Sequence, residues 1–217
     1  MSCRFSFIMG VEVFLCMKYP KFLNEKYNTI GVCAMSSGVG HKLDSFDASI
    51  DYIESNGFHI VETASVRNNS EPRIDAKTRV DELNSLVNDS SVGAVWLAAG
   101  GDFQFETLPY IDFDWIEKNP KWYLGASDPT NLLFPVTCKC DIATIYGFNA
   151  GSFDAYGINE YSDLCLEFLK GKNIELHSSS LHQDVDFYND GAPILNTKTE
   201  YVGNCSVVGR LLGGCFE

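Results

Sequence analysis

Positive charge is scarce in this chain: 16 Lys and Arg stand against 29 Asp and Glu in 217 residues, a formal net charge of −13. That balance argues against a nucleic-acid partner, because no cationic stripe is available for phosphate contacts. Acidity otherwise bears on solubility rather than on fold. Long apolar runs are missing too. The N-terminal stretch MSCRFSFIMGVEVFLCMKYPKFLN is broken by Glu12, has one early Arg and lacks a small-x-small cleavage site, so no signal peptide is expected. It is too short to span a bilayer. Met17 opens a second start, MKYPKFL, so residues 1–16 are expected to be an extension without functional consequence. The expectation is a cytoplasmic protein with no membrane partner.

Metal spacing is also lacking. The eight cysteines (3, 16, 33, 138, 140, 165, 205 and 215) form no dense framework, and the pair Cys138-x-Cys140 has no second pair at zinc distance. No metal is expected, and the thiols read as buried side chains in a reducing compartment. Sequons at Asn68, Asn88 and Asn204 mean nothing without secretion. No G-x-G-x-x-G follows the first strand, which speaks against a dinucleotide site. There are no repeats and no low-complexity tracts.

What is present is the composition of a folded domain, 45% hydrophobic and 21% charged. NTIGVCAMSSG (28–38) reads as a buried strand with a Ser-Gly exit loop. Leu43, Phe46, Ile50 and Ile53 recur at helical spacing and Asn56-Gly57 closes that helix. HIVETA (59–64) is a second strand, 73–89 an amphipathic helix, and AVWLAAGG (94–101) an all-apolar strand of the kind buried on both faces. WYLGAS is a fourth strand, 131–139 a helix and ATIYGFN (143–149) a fifth strand. The alternation predicts an α/β fold, a mostly parallel sheet with helices on both faces. Ser36-Ser37-Gly38, Gly100-Gly101-Asp102 and Ser127-Asp128 then fall at the carboxyl edge, where such sheets bind ligands. From Ile158 the character changes: a helix at 159–170 leads into polar, irregular sequence with strand-like fragments.

KWYLGASDPTNLLF (121–134) is the most informative stretch. A serine at a tight strand-to-helix turn has its Oγ projected clear of the sheet, with free N–H groups of the helix start aimed at a developing oxyanion. Gly125 and Ala126 keep the turn small, and Pro129 suits a first helical turn. GASDPT thus has the mechanics of a nucleophile elbow without being G-x-S-x-G. The competing reading is plain capping, since Ser and Asp are favoured before a helix. Gly100-Gly101 is equally double, an oxyanion-facing loop or only the turn after a strand.

Five segments change the balance: NTIGVCAMSSG, LNSLVNDSSVGAVWLAAGGDF, LPYIDFDWIEKNPKWYLGASDPTNLL, ATIYGFNAGSF and GRLLGGC, in this order and spacing. Together they resemble the LD-carboxypeptidase family of serine peptidases, which includes murein tetrapeptide carboxypeptidases and microcin C immunity peptidases. The likeness covers residues 17–217 and is most specific between Gly100 and Thr130. It implies a flavodoxin-like or glutamine-amidotransferase-like nucleophile-bearing domain (17–157), a connecting segment (158–205) and the start of a truncated second domain (206–217). By resemblance Ser127 matches the nucleophile, and the backbone N–H groups of Gly101 and Asp128 match the oxyanion hole. The implied chemistry is hydrolysis of a small peptide at a bond to a terminal D-amino acid, or of a peptidyl-adenylate, with no cofactor. Pairing into a homodimer is implied by the resemblance alone. Two departures stand out: AAGGDF replaces an Arg-Gly-Gly-Tyr form, which puts carboxylate recognition by that loop in doubt, and Pro129 sits where Ile is frequent.

In the family the triad's Glu and His come from the second domain, after the GGC turn. Neither is expected in this chain. Of its four histidines, His41 lies nearest the expected site edge, His59 opens a strand at the opposite edge, and His177 and His182 fall in the connecting segment. Glu217, at a free terminus, is rejected as the acid. Two functional classes follow: a serine-type LD-carboxypeptidase-like hydrolase, or a truncated peptide-binding remnant that has lost the chemistry.

Overall fold

The computed structural model describes residues 17–68, 74–152, 159–175, 177, 180–182 and 197–200. The expectations for the extension 1–16, the second-domain start 206–217 and Glu217 lie outside the described residues.

Five strands form one sheet: β1 (Thr29–Cys33), β2 (His59–Glu62), β3 (Val92–Leu97), β4 (Trp122–Gly125) and β5 (Ile145–Tyr146), in the order β2-β1-β3-β4-β5. All neighbouring pairs are parallel, with Val32 beside Trp96, Trp96 beside Leu124 and Gly125 beside Tyr146. This is the expected mostly parallel sheet. The connecting helices are α1 (Leu43–Ser55), α2 (Ala76–Asn88), α3 (Phe113–Lys118), α4 (Thr130–Cys140) and α5 (Asn159–Leu169).

The period-two alternation of the strands sorts the side chains into two cores. In β3, Ala94 and Trp96 join Phe46, Ile50 and Ile53 of α1 and Leu166 and Leu169 of α5. Val95 and Leu97 point the other way, to Val80, Leu83 and Leu86 of α2, Ile116 of α3 and Leu132 and Val136 of α4. Helices therefore cover both faces, and β3 is buried along its whole length. On the first face Trp122 stacks on Phe22 at 5.6 Å and meets Phe168 edge-on at 5.3 Å, tying the segment before β1 and helix α5 to the sheet.

Three local differences from the sequence expectations have physical causes. Helix α2 starts at Ala76, not 73, because the Asp75 carboxylate caps it by accepting from the Thr78 N–H at 3.0 Å. Between β3 and β4 the chain makes a 3-10 helix, Gln104–Tyr110, and then α3. Neither is long enough to show a helical period, and Pro109 interrupts the first. The fifth strand shrinks to two residues, as befits a sheet edge. The strand-like fragments expected after α5 are represented by a short antiparallel pair, β6 (Leu181–His182) with β7 (Thr197–Lys198).

Candidate active site

Sequence order reverses between β1 and β3 in the sheet, and the loops leaving their carboxyl ends flank the crevice that such a reversal creates. The β1 loop carries Ser36 and Ser37, the β3 loop Gly100 and Gly101, and the neighbouring β4 loop Ser127. The three loops touch. The Phe103 N–H donates to Ser36 Oγ at 3.2 Å. A Cβ placed on Gly101 would lie 2.5 Å from both Ser36 Oγ and Ser37 Oγ, and one on Gly100 would lie 3.6 Å from Ser127 Oγ. Gly101 has φ +143, so both its backbone and its surroundings demand glycine.

Ser127 sits in the left-handed region at φ +63, a conformation that costs an L-residue about 1–2 kcal/mol. Its neighbours hold it there. The Asn149 side chain grips Ala126 twice, accepting from its N–H at 2.9 Å and donating to its carbonyl at 3.1 Å. The Ser127 N–H donates to the Tyr146 hydroxyl at 3.2 Å, a contact made possible because Tyr146 pairs with Gly125 across the sheet. On the other side the Thr130 N–H donates to the Ser127 carbonyl at 2.8 Å. Gly125 is close-packed, since a Cβ there would lie 2.6 Å from Pro129 Cβ.

The capping alternative does not describe this turn. Pro129 occupies the N-cap of α4, and no side chain caps it. Asp128, 3% exposed, instead turns its carboxylate to the β3 loop. Its Oδ2 accepts from the N–H groups of Phe103 at 3.0 Å and Gln104 at 2.9 Å, and its Oδ1 from Asn131 Nδ2 at 2.7 Å. The backbone N–H groups of Gly101 and Asp128 have no acceptor among the described residues, and neither does the half-buried Ser127 hydroxyl have a partner. A strained serine with unspent N–H donors on its own loop and the adjoining one is an arrangement suited to acyl transfer.

Among the described side chains, no histidine is brought to this point. His41 is exposed in the turn before α1, and no hydrogen bond or ion pair joins it to Ser127. His59 is exposed at the amino end of β2, 3.9 Å from Glu54. His177 is exposed beside Glu175 at 3.5 Å, and the side chain of His182 lies outside the described residues. The C-x-C pair is divided: Cys138 is exposed, whereas Cys140 is buried with its Sγ on the Phe113 carbonyl at 3.4 Å. Burial pushes the Cys140 thiol up to about 11. Sequence reasoning missed Tyr146, Asn149 and the Asp128 carboxylate as supports of the elbow. The first two were read only as part of a strand, and nothing local signals which loop they meet.

Residues 30–147 match the LD-carboxypeptidase N-terminal domain. The chain is 26% identical over 179 residues to a protein of Vibrio cholerae named as a carboxypeptidase, covering 78% of this chain and 54% of that one. It is also 26% identical over 184 residues to the microcin C7 self-immunity protein MccF of Escherichia coli, covering 78% and 53%. Among solved structures, an MccF-like protein from Bacillus anthracis superposes with a TM-score of 0.72 at 26% identity, covering 80% of this chain and 54% of that one. The chain thus spans about half the length of the curated relatives it matches.

Proposed function

The chain belongs to the LD-carboxypeptidase family, and from that premise we propose that it is the nucleophile-bearing part of a serine-type hydrolase that cleaves an amide bond of a small peptide. Ser127 is the nucleophile in this reading, and the Gly101 and Asp128 N–H groups receive the oxyanion. The observation that carries it is the left-handed Ser127 held beside Gly100-Gly101. Strain of this kind persists only where the surroundings over-determine it, and it collects at reacting groups.

The steps are those of acyl transfer. Ser127 Oγ bonds to the scissile carbonyl carbon, and its proton passes to a base. The negative charge on the carbonyl oxygen is met by the two N–H donors. The C–N bond breaks, the amine leaves with the proton, and water releases the acyl group by the reverse sequence. Among the described residues no imidazole contacts Ser127, so the base is drawn from elsewhere in the protein. The substrates proposed are a murein-type tetrapeptide ending in D-alanine or a microcin C-like peptidyl-adenylate, met in the cytoplasm.

The test is release of D-alanine from a murein-type tetrapeptide by the full-length gene product and by its Ser127→Ala form. Turnover that disappears with the hydroxyl supports the reading. Undiminished turnover in Ser127→Ala would sink it.

A further inference from the structure

Arg79 projects from α2 and is 2% exposed. Burying a guanidinium is costly unless its N–H groups are satisfied and its charge is paired. Its Nη1 donates to the Met35 carbonyl at 2.6 Å and the Phe103 carbonyl at 3.2 Å, with the Ser36 carbonyl at 3.4 Å. Its Nη2 pairs with Glu106 at 2.9 Å, and Nε has no partner. None of these acceptors belongs to the strands or to the long helices. Met35 and Ser36 lie in the loop leaving β1, Phe103 in the loop leaving β3, and Glu106 in the 3-10 helix that follows it. A packing role would be served as well by a leucine or methionine at this position, without the desolvation cost.

The bonds converge on one residue. The Phe103 carbonyl is held by Arg79, while its N–H is held by Asp128 Oδ2 at 3.0 Å and Ser36 Oγ at 3.2 Å. Gly101 is two residues upstream, at φ +143, and follows another glycine. A Gly-Gly pair imposes no conformation of its own. The direction of the Gly101 N–H is therefore set by where the chain is anchored immediately after it.

We propose that Arg79 is a positioning residue for the oxyanion hole: it stitches the β1 and β3 loops together and, with Asp128, aims the Gly101 N–H at the space beside Ser127. This rests on the assignment of Ser127 as nucleophile and Gly101 as oxyanion donor. Lysine cannot replace it, since one ammonium cannot serve the Met35 and Phe103 carbonyls and Glu106 in the same fork geometry.

The experiment uses the full-length gene product with an alkyl fluorophosphonate, which forms an Oγ–P bond at a reactive serine and expels fluoride, the hydroxyl proton passing to the base and then to solvent. Labelling of Ser127 is followed by mass spectrometry, separating kinact from KI, and amide hydrogen exchange is read across 100–104. For Arg79→Lys and Arg79→Met, kinact falls about 100-fold with KI little changed, the scale of a misplaced oxyanion donor. Exchange at Phe103 and Gln104, whose N–H groups Asp128 holds, rises at least about tenfold, while β3 amides keep their protection. Should the methionine form fail to fold, Glu106→Gln, which removes the charge of the guanidinium's partly exposed partner, still lowers kinact about two- to fivefold. Wild-type kinact in folded Arg79→Lys, or faster exchange spread over the whole sheet, would overturn the proposal. If Ser127 in the unmutated protein takes no label while the Arg79 variants loosen only 100–104, the nucleophile assignment falls and the loop clamp stands.

Discussion

At the scale of single residues, the elbow stores strain and spends a carboxylate to hold its neighbour. Because Ser127 lies at φ +63, glycine there relieves the cost of a Cβ in the left-handed region. Ser127→Gly is expected to be more stable than Ser127→Ala by about 1 kcal/mol in urea titrations, although both lack the hydroxyl. Equal midpoints would show that the turn is unstrained. Asp128 makes an independent case. Its Oδ2 serves two N–H donors and its Oδ1 a third from Asn131. In Asp128→Asn one of those positions becomes an NH₂ group facing a donor, so the variant is expected to lose about 1–3 kcal/mol. It should also lose order in the β3 loop, seen as faster amide exchange at Phe103 and Gln104. A variant as stable and as protected as wild type would contradict the bonding described.

At the scale of elements, the carboxyl end of α5 is held by a local ion-pair cluster. Near its end Glu167 is paired with Lys170 at 3.1 Å and with Lys172, and these partners, Lys172 foremost, hold its carboxyl below the usual glutamate range. A carboxylate depressed in the folded state contributes its stability above the unfolded value, ~4.3, and loses it as the pH falls through the folded value. The same helix places Phe168 against Trp122 at 5.3 Å. Acid titration should therefore weaken this corner below about pH 4.3, with Trp122 emission reporting it. Glu167→Gln should flatten that part of the profile. An unchanged acid profile in Glu167→Gln would show that these ion pairs add nothing to the stability of this corner.

At the scale of the whole molecule, the chain carries the sheet edge with Ser127 but spans about half the length of its curated relatives. Among the described residues no histidine contacts Ser127. With no base at Ser127 the hydroxyl would have to lose its proton unaided, and the prediction is that the 217-residue chain purified alone is a very poor hydrolase. Removing triad members typically costs several powers of ten in rate and leaves only the oxyanion hole and binding. The measurement is D-alanine release by the 217-residue chain and by its Ser127→Ala form. Robust turnover by the 217-residue chain, abolished by Ser127→Ala, would place a base within it and make His41 the first residue to mutate.

The order of strands and helices was legible in the residues themselves, because period and composition are local. The continuous apolar run of β3 marked a strand buried on both faces, and the Gly-Ala-Ser-Asp-Pro turn marked the end of another. The short 3-10 helix and α3 left no period to read. At the site, sequence could place Ser127, Gly101 and Ser36 on one edge, since parallel strands share a carboxyl end. It could not choose between a capping and a strained serine. That choice came from Asn149 gripping Ala126 and Tyr146 receiving the Ser127 N–H, both reaching back from the next crossover. It came also from Asp128 turning to the β3 loop and from Arg79 crossing to it from α2. Such bonds join residues far apart in the chain, and they exist only once strand register and helix packing have brought the loops together.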